Sequence, residues 1–287
     1  MSDLHRRLTV VVLSHNRADE LMRTLERMCA LPEPLPVIVV DNASTDGSPR
    51  RVAERFPQVT LIALPTNTGA AARNLAVQQA RTPFVAFADD DSWWAGDSLT
   101  EAVALLECHP RLAAVCGRVL LGEDEREDPV CRLMAESPLP ADGLPGPALL
   151  GFIACAVVFR RGAYLEAGGY DEKFFVGGEE ELLTLDLVAS GWHIAYVPQL
   201  TVHHYPSPQR NRGARQRIVL RNAIWVAWLR LPFTAAVSQT IALCRAAGDR
   251  AVVVDALRAA LRELRWVWRR RQVLPRQVQA MYHMLRA

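Results

Sequence analysis

Short apolar runs alternate with helical repeats through the first part of the chain. Leu8 to Leu13, a run of threonine and aliphatic residues, predicts a fully buried strand closed by the polar turn Ser14-His15-Asn16-Arg17. Leu21, Leu25 and Met28 then recur at helical spacing within 18–30. The unit repeats: a strand Val37–Val40 ends at Asp41, and a polar turn Asn42–Ser48 leads into a helix through Val52 and Phe56. A third strand, Val59–Ala63, precedes the Thr66–Gly69 turn and an alanine-rich helix reaching about Ala80. A fourth, Phe84–Ala88, runs into Asp89-Asp90-Asp91. This alternation predicts an α/β fold, a mostly parallel sheet flanked by helices, with its ligand beyond the carboxyl ends of the strands.

Further on, the pattern predicts a helix over Leu99–Glu107, a strand over Ala113–Val119 and a mobile acidic, proline-rich loop over Gly122–Pro147. Leu149–Phe159 is too short to span a bilayer and reads as buried strand. A helix ending at Ser190 and a strand Ile194–Val197 follow, and from about Arg212 the pattern is helical, broken by Pro232, Gly248 and Pro275.

Half of the 287 residues are hydrophobic, enough for a sizeable core, which excludes disordered and miniprotein classes. The six cysteines are scattered and without a C-x-x-C pair, as expected of free thiols in a cytoplasmic protein. The net charge of +2 hides an asymmetry: residues 1–204 carry 17 basic and 28 acidic side chains, whereas 205–287 carry 16 and 3. The chain is two electrostatic objects.

Three adjacent carboxylates at a buried strand end repel one another, and a hard divalent cation would relieve them. The alternative is an acidic cap facing water. Asp41, at the end of the second strand, is placed to accept hydrogen bonds from a base or ribose. The first turn lacks glycine, which argues against a dinucleotide cradle.

The segments VVLSHNR (11–17), VVDNASTDGS (39–48), NTGAAARN (67–74), FADDD (87–91), Gly168–Tyr196 and Val202–His204, taken in order, resemble a family 2 glycosyltransferase of the GT-A fold, closest to bacterial rhamnosyltransferase-like members. The resemblance covers roughly residues 8–230. It implies a catalytic domain over 1–211, with a nucleotide-binding half at about 1–120 and an acceptor half at about 148–211, followed by a basic helical extension over 212–287. It further implies that Asp89 and Asp91 form a D-x-D motif binding Mn²⁺ or Mg²⁺, with His203 favoured over His204 as a third ligand. Ser14, Asn16, Arg17, Asp41, Asn67, Arg73, Asn74, Asp89 and Asp90 would bind the nucleotide sugar, Arg73 through phosphate or by positioning Asp91, while Asp90 points to the strand's other side. Trp93, Trp94 and Phe175 would face the acceptor. The base would be Glu180, or its neighbour Glu179, where the family more often has aspartate. The reaction implied is one in-line displacement at the anomeric carbon, with inversion, from a dTDP-, UDP- or GDP-linked donor to a glycan or lipid-linked acceptor of a bacterial surface polysaccharide.

Trp225, Trp228, Trp266, Trp268 and the run Arg269-Arg270-Arg271 place aromatics beside cations in the tail. That pattern suits the inner face of an anionic membrane, or equally a solvated helical cap. No nucleic-acid motif is present. A nucleotidyltransferase and a non-catalytic nucleotide-sugar or glycan-binding protein are the alternatives. The first lacks its glycine-rich phosphate loop, and the intact set of acids argues against the second.

Overall fold

The computed structural model describes residues 3–31, 33–206 and 212–286. Its framework is a nine-stranded mixed sheet among the described residues. The strands are β1 (Leu8–Ser14), β2 (Val37–Asp41), β3 (Thr60–Ala63), β4 (Phe84–Asp89), β5 (Ser92–Trp94), β6 (Leu112–Leu121), β7 (Arg126–Glu127), β8 (Val157–Arg160) and β9 (His193–His204). Their order is β3-β2-β1-β4-β8-β6-β9-β5, with β7 paired to β6. The first four are mutually parallel, as the alternating strand and helix pattern requires, since each crossover carries a helix across a face. The register Ser14↔Asp41 and Leu13↔Asp89 brings the carboxyl ends of β1, β2 and β4 to one edge. The second half is mixed: β8 runs antiparallel to both β4 and β6, while β6 and β9 are parallel.

Three local expectations change. The expected loop 122–147 contains β7 and a helix, Pro129–Ala135, whose capping Asp128 carboxylate accepts from the Val130 amide at 2.8 Å and which buries Cys131 and Met134. Its apolar face is only two residues wide, too little periodicity to register in the sequence. The expected strand 149–159 is a strand only over Val157–Arg160, preceded by a 3₁₀ turn, Ala154–Ala156. A continuous apolar run signals burial without specifying backbone geometry. Strand β9 extends to His204, well beyond Val197, because β5 pairs with its end.

Two apolar clusters form. The larger packs both faces of the sheet, around Leu8, Val12, Leu25, Phe87, Val115 and Tyr196. The smaller joins Phe174, Leu182 and Leu185 to Ile224, Trp225, Leu229, Ala256 and Val267 of the C-terminal helices. There, helix Arg212–Arg230 packs against Phe233–Ala247 and Arg250–Arg262. The expected boundary at residue 211 lies outside the described residues. No helix among the described residues is long and apolar enough to cross a membrane.

Candidate active site

The turns after β1, β2 and β4 lock together at the carboxyl edge. The backbone is left-handed at Asn16 (φ 53°) and Ala43 (φ 63°), an uncommon conformation for side-chain-bearing residues that recurs at functional sites. Side chains hold it: Asn16 Oδ1 accepts from the Thr45 amide at 2.7 Å, and Ser44 Oγ from the Asn16 amide at 2.8 Å. One oxygen of buried Asp41 accepts from the Ser44 amide at 2.9 Å, and the other is buried with no hydrogen-bond partner among the described residues.

Asp89, Asp91 and His204 bring one ligand atom each to within 4.8 Å of one another. His204 Nε2 lies 3.2 Å from Asp91 Oδ1. Two carboxylates and an imidazole are a donor set that fits a divalent cation such as Mn²⁺, and the carboxylates alone suit Mg²⁺. This corrects the expectation for the histidines. In the β5–β9 ladder Ser92 faces His204 and Trp93 faces His203, so adjacent side chains leave the sheet on opposite sides. His203 instead pairs with Glu125 at 3.3 Å and stacks on Trp93. The sequence does not reveal that register, and with it the choice between neighbouring histidines.

Arg17 Nη1 donates to Asp91 Oδ2 at 2.8 Å and Asp90 Oδ1 at 3.2 Å. Asp90 therefore does not turn away from its neighbours as expected; it shares Arg17 with Asp91, and burial together with Asp91 pushes its carboxyl up to about 7. Arg73, buried, forms an ion pair with Asp89, not with Asp91. Asn74 does not reach toward a nucleotide. Its oxygen accepts from Tyr164 Oη at 2.7 Å and the Tyr170 amide at 3.0 Å, and its nitrogen donates to the Tyr170 carbonyl at 2.8 Å, which consumes the amide. Asn67 accepts from the Gly69 amide at 2.9 Å and shapes the turn. Ser14 is buried at the end of β1.

Two of the three expected acceptor contacts also move. Trp94 is 1% exposed and its indole donates to the Phe87 carbonyl at 3.0 Å, so it is core. Trp93 stacks between His203 and Tyr205 with Arg27 over its ring, on the sheet face away from His204. Phe175 keeps an exposed side chain, and its backbone is left-handed (φ 64°).

Glu179 and Glu180 open helix Glu179–Ala189 behind Gly178, whose φ of 94° suits glycine. Glu179 is buried, with one oxygen lacking a hydrogen-bond partner among the described residues, and burial raises its affinity for a proton. For Glu180, burial and then the Glu179 charge push the carboxyl up to about 8. Glu180 also feels Arg73 and Asp89, which ties the base candidate electrostatically to the acidic cluster.

The loop before this helix is held from two sides. The Phe175 carbonyl accepts from the Ala70 amide at 2.7 Å. Buried Asn222, on helix Arg212–Arg230, donates to the carbonyls of Phe174 (2.8 Å), Val176 (3.1 Å) and Gly177 (2.6 Å). Arg221 donates to Asn222 Oδ1 at 2.7 Å and to the Phe174 carbonyl at 3.2 Å. The carbonyls that Asn222 holds lie more than 40 residues away in sequence, so no local pattern reveals them.

The model of the glycosyl transferase family 2 matches residues 9–166, the segment that contains β1 to β4, the acidic cluster and β8. The chain belongs to glycosyl transferase family 2. This family 2 glycosyltransferase is 27% identical over 243 residues to the N-acetylglucosaminyl-diphospho-decaprenol L-rhamnosyltransferase of Mycobacterium tuberculosis, covering 71% of this chain and 78% of that one. It is 32% identical over 231 residues to the pre-mycofactocin glycosyltransferase of the same species, covering 74% of this chain and 46% of that one. Among solved structures, S. aureus TarS 1-349 in complex with UDP-GlcNAc aligns with a TM-score of 0.61 at 18% identity, covering 77% of this chain and 65% of that one. Mannosyltransferase PcManGT from Pyrobaculum calidifontis, in complex with GDP-Man and Mn²⁺, aligns at 0.59 and 22%, covering 98% and 86%. The fold is that of GT-A glycosyltransferases, as the motif order implied.

Proposed function

We propose that the enzyme is a metal-dependent, inverting transferase that moves a sugar from a nucleoside diphosphate to a hydroxyl of a lipid-linked acceptor in bacterial surface polysaccharide synthesis. The observation that carries this reading is the convergence of Asp89, Asp91 and His204, with Glu180 electrostatically coupled to the same cluster. Asp89, Asp91 and His204 would hold Mn²⁺ or Mg²⁺, which when bound neutralises charge on the diphosphate leaving group. Asp41 offers its unpaired oxygen to an N–H of the nucleobase. Arg73 orients Asp89, and Arg17 orients Asp91. Glu180 takes the proton from the acceptor hydroxyl as that oxygen attacks the anomeric carbon from the side opposite the diphosphate. Phe175 packs against the acceptor.

The acceptor class is suggested by the name of the mycobacterial rhamnosyltransferase, which gives N-acetylglucosaminyl-diphospho-decaprenol. Donors linked to dTDP, UDP or GDP all suit the site. We assign transfer to residues 1–211 and support of the base loop to 212–287, the basic helices resting on the inner face of the cytoplasmic membrane.

A thermal-shift panel of dTDP, UDP and GDP with and without Mn²⁺ identifies the nucleotide. Asp91→Asn and Glu180→Gln should both lose transfer, and only Asp91→Asn should lose Mn²⁺-dependent nucleotide binding. Near-native transfer by Glu180→Gln would remove the base assignment.

A further inference from the structure

The C-terminal helices enclose an open cavity of about 810 Å³ that the transfer chemistry does not use. It lies within the size range of cavities that take small organic ligands. Its walls include Trp225, Trp228, Phe233, Leu257, Leu261 and Trp268. Of the three indole N–H groups in the wall, two are spent within it: Trp225 donates to the Ala260 carbonyl at 3.3 Å and Trp228 to Thr240 Oγ1 at 3.0 Å. Most of what faces the space is hydrocarbon and aromatic surface. Phe233, Leu261 and Trp268 stay 59%, 66% and 61% exposed, a cluster that water solvates poorly. Arg265 and Arg269 also line the cavity, and no acidic residue among the described residues does.

We propose that this groove binds the hydrocarbon chain of an isoprenyl diphosphate-type lipid, with Arg265 and Arg269 receiving the diphosphate. The proposal rests on the lipid-linked acceptor reading above and assigns that lipid a place in the chain. Three features select this occupant. Apolar walls with two arginines among the lining residues match a molecule that joins a hydrocarbon chain to a diphosphate. A second copy of the chain would bring the same arginines against each other. A bilayer under these helices would cover the rim, where Phe233, Leu261 and Trp268 protrude, but would leave the concavity itself unfilled.

The groove also communicates with the base loop. Trp225 lies one helical turn from Asn222 and packs its ring 5.8 Å from that of Phe174, whose carbonyl Asn222 holds. An occupant on Trp225 therefore sits on the helix that supports Glu180.

The test is binding of farnesyl diphosphate to the full chain, followed by tryptophan fluorescence and calorimetry without donor or metal. Farnesol and inorganic diphosphate serve as separate arms. Farnesyl diphosphate should saturate, farnesol should bind more weakly, and inorganic diphosphate weakest. Leu261→Glu, at an exposed position, should weaken farnesyl diphosphate by about tenfold or more, the loss expected when one leucine's apolar contact is replaced by a repelling charge. The double variant Arg265→Ala/Arg269→Ala should bring farnesyl diphosphate down to the affinity of farnesol. Mn²⁺-dependent nucleotide binding should be unchanged in both variants, which separates this test from failure of the transferase reading. Equal affinity of wild type and variants would overturn the proposal. So would binding only to phosphatidylglycerol vesicles, or a dimer that Leu261→Glu dissociates.

Discussion

The side-chain amide of Asn222 donates to the Gly177 carbonyl at 2.6 Å, so a helix outside the sheet fastens the turn from which the candidate base emerges. Asn222→Ala would take the amide donor from the Val176 and Gly177 carbonyls, the Phe174 carbonyl keeping Arg221 and the Val176 amide, and cost about 1–3 kcal/mol of stability. We expect kcat to fall more than donor KM rises, because the donor edge is built from other segments. Asn222→Asp should not rescue, since a carboxylate has no N–H to give. Urea unfolding midpoints and steady-state kinetics check both statements.

His204 and His203 should behave oppositely. His204→Ala should raise the Mn²⁺ concentration needed for half-maximal transfer by about 10-fold or more, as removal of a ligand does. His203→Ala should leave metal activation near wild type, since it faces Glu125 and Trp93. A metal titration of each variant distinguishes them.

Glu180 should show opposing effects on activity and stability. Its folded-state carboxyl holds its proton up to about pH 8, against 4.5 for an ordinary glutamate. The stabilisation from its raised pKa is fully present below 4.5 and is lost as pH rises toward 8, because across that window the unfolded chain binds fewer protons. Glu180→Gln should therefore be more stable than wild type at pH 8 and nearly equal at pH 4.5, while transferring no sugar. Transfer by the wild type should increase with pH as the base ionises, and a cation held at Asp89 should move that limb to lower pH. Denaturant melts at several pH values and a pH–rate profile test the pair of effects.

Gly69 has φ of +66°, and a Cβ there would collide with the Phe175 carbonyl. The adjacent Ala70 amide bonds that same oxygen. Gly69→Ala should push the base loop from the donor turn and lower transfer about 10–100-fold, with a stability loss of about 1–3 kcal/mol from the strained backbone. Ala70→Ser, which keeps the amide, should stay active. Comparing both variants by kinetics and thermal melting tests the contact.

Local pattern was enough to place β1 to β4, the acid-bearing turns and the helical tail, because burial period, turn residues and charge are properties of neighbouring positions. The family resemblance then located Asp41, the D-x-D acids and the glutamate cluster in order along the chain. It also named Arg73, as a phosphate contact or a partner of Asp91; the ion pair in the fold is with Asp89.

Pairing between distant segments was decided only in three dimensions. The register of β5 on β9 selected His204 and turned Trp93 and His203 to the other face. Asn74, expected at the nucleotide, spends its amide on Tyr164 and Tyr170, about 90 residues on. The apolar groove exists because helices around Trp225, Phe233 and Leu261 meet, and each helix alone shows only an ordinary hydrophobic stripe. Local sequence determines which groups are available and which face of an element is apolar; which groups meet depends on the summed packing of the whole chain, which no window of neighbouring residues contains.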